Sequence, residues 1–111
     1  MNDFDLKKTA NELGIDCDTL IMLLDMFAES LGDEIQNIRQ AVQSNNLADI
    51  HKFAHGLKGS AANLRFKELA ECCRILESNA KTGADIDYKK AFENLEKVAE
   101  STEKSIKNIN G

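Results

Sequence analysis

Between residues 20 and 42 the apolar side chains fall at Leu20, Leu24, Phe27, Leu31, Ile35, Ile38 and Val42. Steps of three and four fit one face of an α-helix; a strand would alternate every second residue. Such a helix carries an apolar stripe roughly 34 Å long, which it cannot bury alone. The rest of the chain must therefore supply partner stripes of comparable length.

It does so three times. Leu47, Ile50, Ala54, Leu57, Ala61 and Leu64 form one stripe, and Leu69, Cys72, Cys73, Leu76 and Ala80 a second. Tyr88, Phe92, Leu95, Ala99, Ile106 and Ile109 form a third, and a short segment with Leu6, Ala10 and Leu13 on one face precedes them all. The punctuation agrees. Asp3 caps the short segment and Gly14 stops it, and Asp16 or Asp18 opens the long helix. The SNN run at 44–46 ends that helix and offers Asn46 as the next cap. The pattern resets at 65–67, Gly83 terminates the following helix, and Asp85 or Asp87 caps the last. Gly32 weakens the long helix by about 1 kcal/mol relative to alanine, which the length of its stripe offsets. The final KNING is expected to fray. The expected fold is all-α: an antiparallel four-helix bundle with a short extra N-terminal helix. It is read as a single domain over residues 1–111, with the core bundle from about 18 to 109.

Composition narrows the function. Proline is absent and 42% of residues are hydrophobic, enough for a packed helical core. A net charge of −5 with no basic patch argues against a nucleic-acid surface. No apolar run reaches the length of a membrane span, and the opening MNDFDLKKTANEL lacks the basic and apolar regions of a signal peptide. Cys17, Cys72 and Cys73 suggest no disulfide framework, since adjacent helical side chains point about 100° apart. They are read as core or near-core thiols. A cytoplasmic, stand-alone protein beginning at Met1 is expected.

The stretch HKFAHGLKGSAANL, residues 51–64, departs from what helix stability alone would select. His51 and His55 are the chain's two histidines. On a helical wheel His55 lies roughly 130° from the centre of the apolar stripe, on the solvent side. Its neighbours there are Ala48, Gly59 and Ala62, where a solvated face would carry long polar residues. Gly59, one turn after His55, costs about 1 kcal/mol in mid-helix. Its physical use is to remove a side chain so that another molecule can reach the imidazole. Lys58 adds a positive charge suited to an anionic adduct, for which phosphate is the natural candidate. Neutral imidazole is a nucleophile at neutral pH without a separate general base. The chain has neither a GxxxxGK[ST] loop nor a kinase-like glycine loop, so phosphate must arrive from one protein and leave to another. His51 is the weaker acceptor candidate: it lies nearer the stripe and lacks a following Lys-Gly pair. A metal held by both histidines at i, i+4 would need facing ligands from elsewhere, and no metal is expected.

AHGLKGSAANLRFKELAECCRILE, residues 54–77, resembles the signature of the histidine-containing phosphotransfer (HPt) domain family. Ala54, His55, Leu57, Lys58, Gly59, Ser60, Ala61 and Leu64 fill its pattern, and Leu69, Cys72, Leu76 and Glu77 suit the helix that follows. The resemblance implies a bundle that takes a phosphoryl group from an aspartate of one receiver domain and passes it to another. By that likeness His55 is the phosphoacceptor, Lys58 stabilises phosphate, Gly59 permits close approach, and Ser60 and Glu77 are supporting residues. Glu77 aligns with a position that orients the histidine in some members, where glutamine can stand. Arg65 occupies a place often held by glycine. The docking surface is assigned to Ala48, His51, Ala62 and Phe66, the last serving either docking or the core. The implied partners are receiver domains of hybrid sensor kinases and response regulators. The receiver brings the magnesium, so the chain itself needs no cofactor and no ATP site. Transient exchange suits a monomer. A helical adaptor that binds a receiver without carrying phosphate is the alternative.

Overall fold

The structure, a computed structural model, describes residues 5–110. Five helices follow one another: α1 (Leu6–Leu13), α2 (Cys17–Gln43), α3 (Leu47–Asn63), α4 (Lys67–Thr82) and α5 (Tyr88–Asn110). There is no strand among the described residues. Helices α2 to α5 form an antiparallel four-helix bundle in which each packs on its two ring neighbours, and α1 is the extra helix, packed on α2. The molecule measures 42 × 24 × 21 Å, and α2 alone accounts for roughly 40 Å at the rise of an α-helix.

The core is the four stripes brought face to face. Leu20, Leu24, Ile38, Ile50, Leu57, Leu69, Leu76, Leu95 and Ile106 are sealed in its middle. Near the end of α2 the buried face turns onto Ala41, and Val42 is left at the margin. Cys73 is fully buried while Cys17 and Cys72 are half-buried, and all three are free thiols. Burial, with the nearby Cys72 and two carboxylates, pushes the Cys73 thiol up to about 12, far from a reactive thiolate.

The caps follow local chemistry. Asp16 accepts from the Thr19 amide at 2.7 Å and Asn46 from the Asp49 amide at 3.1 Å. Asp87 accepts from Lys90 at 3.0 Å at the start of α5, and Gly83 closes α4 in the left-handed conformation. The expected cap Asp3 lies outside the described residues; Asp5 caps α1, accepting from the Lys8 amide at 3.0 Å. Of the KNING end that was expected to fray, residues 107–110 are helical, with Ile109 against the core, and Gly111 lies outside the described residues.

The turn between α3 and α4 corrects one expectation. Phe66 does not line a docking surface. Its side chain is 6% exposed and stacks on Phe27 of α2, with ring centroids 5.6 Å apart. Arg65 takes a left-handed backbone, φ 69°, so the chain reverses there and sends Phe66 inward to cap the core.

Candidate functional site

Leu57 and Ala54 anchor α3 to the core, and a rigid helix then dictates where their neighbours point. His55, one residue from Ala54, is carried outward, with 66% of its side chain exposed. Ala48, Gly59 and Ala62 are exposed on the same helix. A Cβ built on Gly59 would meet nothing within 4 Å, so packing of this chain does not require glycine there.

The His55 ring is nevertheless held. Glu77 of α4 is buried at the α3–α4 seam, its side chain only 10% exposed. Nδ1 of His55 donates to Glu77 Oε2 at 2.5 Å, and the Lys58 ammonium lies 2.5 Å from the other oxygen. Burial works against the charge on Glu77, but the contacts of Lys58 and then His55 with its two oxygens outweigh it. They hold the carboxyl below the ordinary carboxylate value. With Nδ1 carrying the proton toward Glu77, the neutral ring has its lone pair on Nε2.

His51 is half-buried one turn earlier, and its Nδ1 donates to the backbone carbonyl of Glu77 at 3.2 Å. Its ring stacks on that of His55 with centroids 6.1 Å apart and 22° between planes. Among the described residues no group of three or more His, Cys, Asp or Glu side chains is placed to hold a metal ion. Ser60 turns its hydroxyl back onto the Gly56 carbonyl at 3.4 Å. The structure thus brings His51, His55, Lys58 and Glu77 together, leaves Ala48, Gly59 and Ala62 on the open surface, and removes Phe66 from it.

Helical periodicity points to the exposed imidazole, and only the family resemblance points to Glu77 beside it. Lys58 was assigned to phosphate, and its partnership with Glu77 was missed. A weak signal existed: an acid at position 77, directly after the buried Leu76, needs a compensating group when it flanks a packed face.

His55 stands exposed on the surface of α3. A groove of about 620 Å³ lies elsewhere, between the end of α2 and the start of α5, lined by Arg39, Val42, Ile86, Tyr88 and Phe92 among others. A nucleophile exposed on a helix face suits a macromolecular partner that brings its own pocket, whereas small substrates are usually enclosed.

A family model described as the Hpt domain matches residues 22–105, well over half of the 111. No curated protein and no solved structure matches the chain. Hpt domains are histidine phosphotransfer intermediates of phosphorelays, not kinases, and they interact with receiver domains of two-component systems. With the helical bundle and the exposed, anchored histidine in view, the chain belongs to the Hpt domain family.

Proposed function

We propose that His55 accepts a phosphoryl group from an aspartate of one receiver domain and passes it to an aspartate of another. The observation that carries this reading is the ring itself: exposed, with Nδ1 tied to Glu77 and the lone pair of Nε2 left to attack. Gly59 and Ala62, exposed beside it, leave room for a receiver to close on the ring. Phosphoryl transfer is chiefly positioning and charge stabilisation, and here the labour is divided. This chain supplies the nucleophile, the Lys58 charge and the docking face of Ala48, His51 and Ala62. The receiver supplies magnesium and the acidic pocket, so the chain needs no cofactor of its own. Working as a monomer in the cytoplasm suits such brief encounters. Separately, among the described residues no helix is long and apolar enough to cross a membrane.

The test is transfer of radiolabel from ATP through a sensor kinase and a receiver. The expected label is acid-labile and alkali-stable, present in the native protein and lost in His55→Ala. Labelling that persists in His55→Ala but disappears in His51→Ala would move the acceptor to His51. Receiver binding without any label on the native protein would replace this reading with the adaptor.

A further inference from the structure

We propose that His51 is a second phosphate-holding residue: once His55 carries a phosphoryl group, His51 takes a proton from solvent on Nε2 and donates it to a phosphoryl oxygen. The proposal rests on His55 being the phosphoacceptor, and it makes the capacity of the site to hold phosphate depend on pH.

The two rings are arranged for it. His51 Nδ1 donates to the Glu77 carbonyl at 3.2 Å and His55 Nδ1 to the Glu77 carboxylate, so both rings turn the same edge toward α4. They lie nearly parallel, with 22° between planes and centroids 6.1 Å apart. Nε2 stands on the other side of each imidazole, so the two Nε2 atoms face away from α4 together. His51 Nε2 has no hydrogen-bond partner among the described residues. A phosphoryl group on His55 Nε2 therefore extends beside an unused ring nitrogen. A hydrogen bond of about 2.9 Å and the reach of one phosphoryl oxygen together span the gap between the rings.

Charge supplies the reason for the proton to arrive. Before transfer the Lys58 ammonium and the Glu77 carboxylate, 2.5 Å apart, offset one another, and the nucleophilic His55 ring is neutral. Phosphorylation adds close to two negative charges to a ring that becomes singly positive, which leaves roughly one negative charge without a counterpart. Lys58 is already held by the buried Glu77, so the adjacent imidazole is the nearer source of a new cation. The other charged groups around the pair do not fill that place. Arg74, one turn before Glu77 on α4, is engaged by Glu71 at 2.6 and 2.8 Å. On α3 itself, Lys52 lies over Phe53, 5.3 Å from its ring centroid. From α2, the half-buried Glu34 makes no hydrogen bond to either ring. Lys81, one turn after Glu77, is exposed and unpaired among the described residues, but a lysine keeps its charge across the range in which histidine titrates. The His55 ring titrates there too, so the difference between the native protein and a variant at 51 isolates His51.

The full chain and His51→Gln are each phosphorylated through a sensor kinase and a receiver, and intact mass verifies one phosphate per chain. The chain has two histidines, so ¹H–¹³C NMR follows each ring separately. In the native protein the titration midpoint of His51 is expected to rise by about one pH unit or more on phosphorylation of His55. That measurement needs no variant. A proton held more tightly in the phosphorylated state favours that state as pH falls. Between pH 8.5 and pH 5.5 the equilibrium ratio of phospho-His55 to phospho-receiver is therefore expected to gain roughly tenfold more in the native protein than in His51→Gln. An equilibrium ratio does not depend on how readily the receiver docks, so a merely structural or docking role for His51 would leave the two profiles parallel. Parallel profiles, or a His51 midpoint that does not rise, would overturn the proposal while leaving His55 as acceptor. Failure of His55 to take phosphate in the native protein would overturn the phosphotransfer reading, and this proposal with it.

Discussion

Glu77 and Glu34 both flank apolar stripes, and their surroundings push them in opposite directions. Glu77 has Lys58 and His55 on its two oxygens, which hold its carboxyl low. The stability gained from that pairing is complete above its unfolded value of 4.5 and is lost as pH falls through the depressed folded value. Glu34 of α2 is half-buried; burial pushes its carboxyl up, and among the described residues its Oε2 has no hydrogen-bond partner. The sign reverses here. The folded state holds the proton more tightly than the unfolded chain, so stability declines as pH rises from 4.5 through the raised folded value. Glu34→Gln is therefore expected to stabilise the protein at pH 7 by about 1 kcal/mol, and to lose that advantage at pH 4. Paired thermal melts at the two pH values check it, and an equal Tm difference at both would refute it. At this scale the identity of His55 was legible because its odd neighbours are local. Its partner Glu77 is legible only through the family resemblance, because nothing in local periodicity or spacing relates position 55 to position 77.

The helices themselves were largely written into local chemistry. Asp16, Asn46 and Asp87 cap where a side-chain oxygen can reach an orphan amide, and Gly83 stops α4 because it adopts φ 70° freely. Arg65 is the exception worth testing. It holds φ 69° with a Cβ, a conformation that costs an L-residue about 1–2 kcal/mol. Its side chain compensates, reaching the Asn63 carbonyl at 3.1 Å and Glu12 of α1 at 3.1 Å. Alanine would keep the strain and lose the contacts, whereas glycine would lose both. Arg65→Gly is thus expected to exceed Arg65→Ala in stability by about 1 kcal/mol in urea titrations. An alanine variant as stable as the glycine one would show that the turn is not strained. The persistence of α5 to Asn110 was not legible locally: it depends on Ile106 and Ile109 finding the core.

Across the whole bundle, stability resides in the sealed contact of four stripes, and Leu76 sits in it fully buried beside Glu77. Leu76→Ala is expected to lower the unfolding free energy by about 3 kcal/mol, through lost burial and the cavity left behind. The shift of the denaturant midpoint measures it, and a loss under about 1 kcal/mol would mean that this layer is not close-packed. Helical periodicity is a property of consecutive residues. The amino-acid order by itself therefore determined five helices, most of their ends, the buried face of each and the outward direction of His55. Inter-helix register is different, since it is settled only when side chains distant along the chain interlock. That docking of α4 on α3 placed a carboxylate under the imidazole, engaged Lys58 before any phosphate arrives, and folded Phe66 onto Phe27 instead of leaving it for a partner.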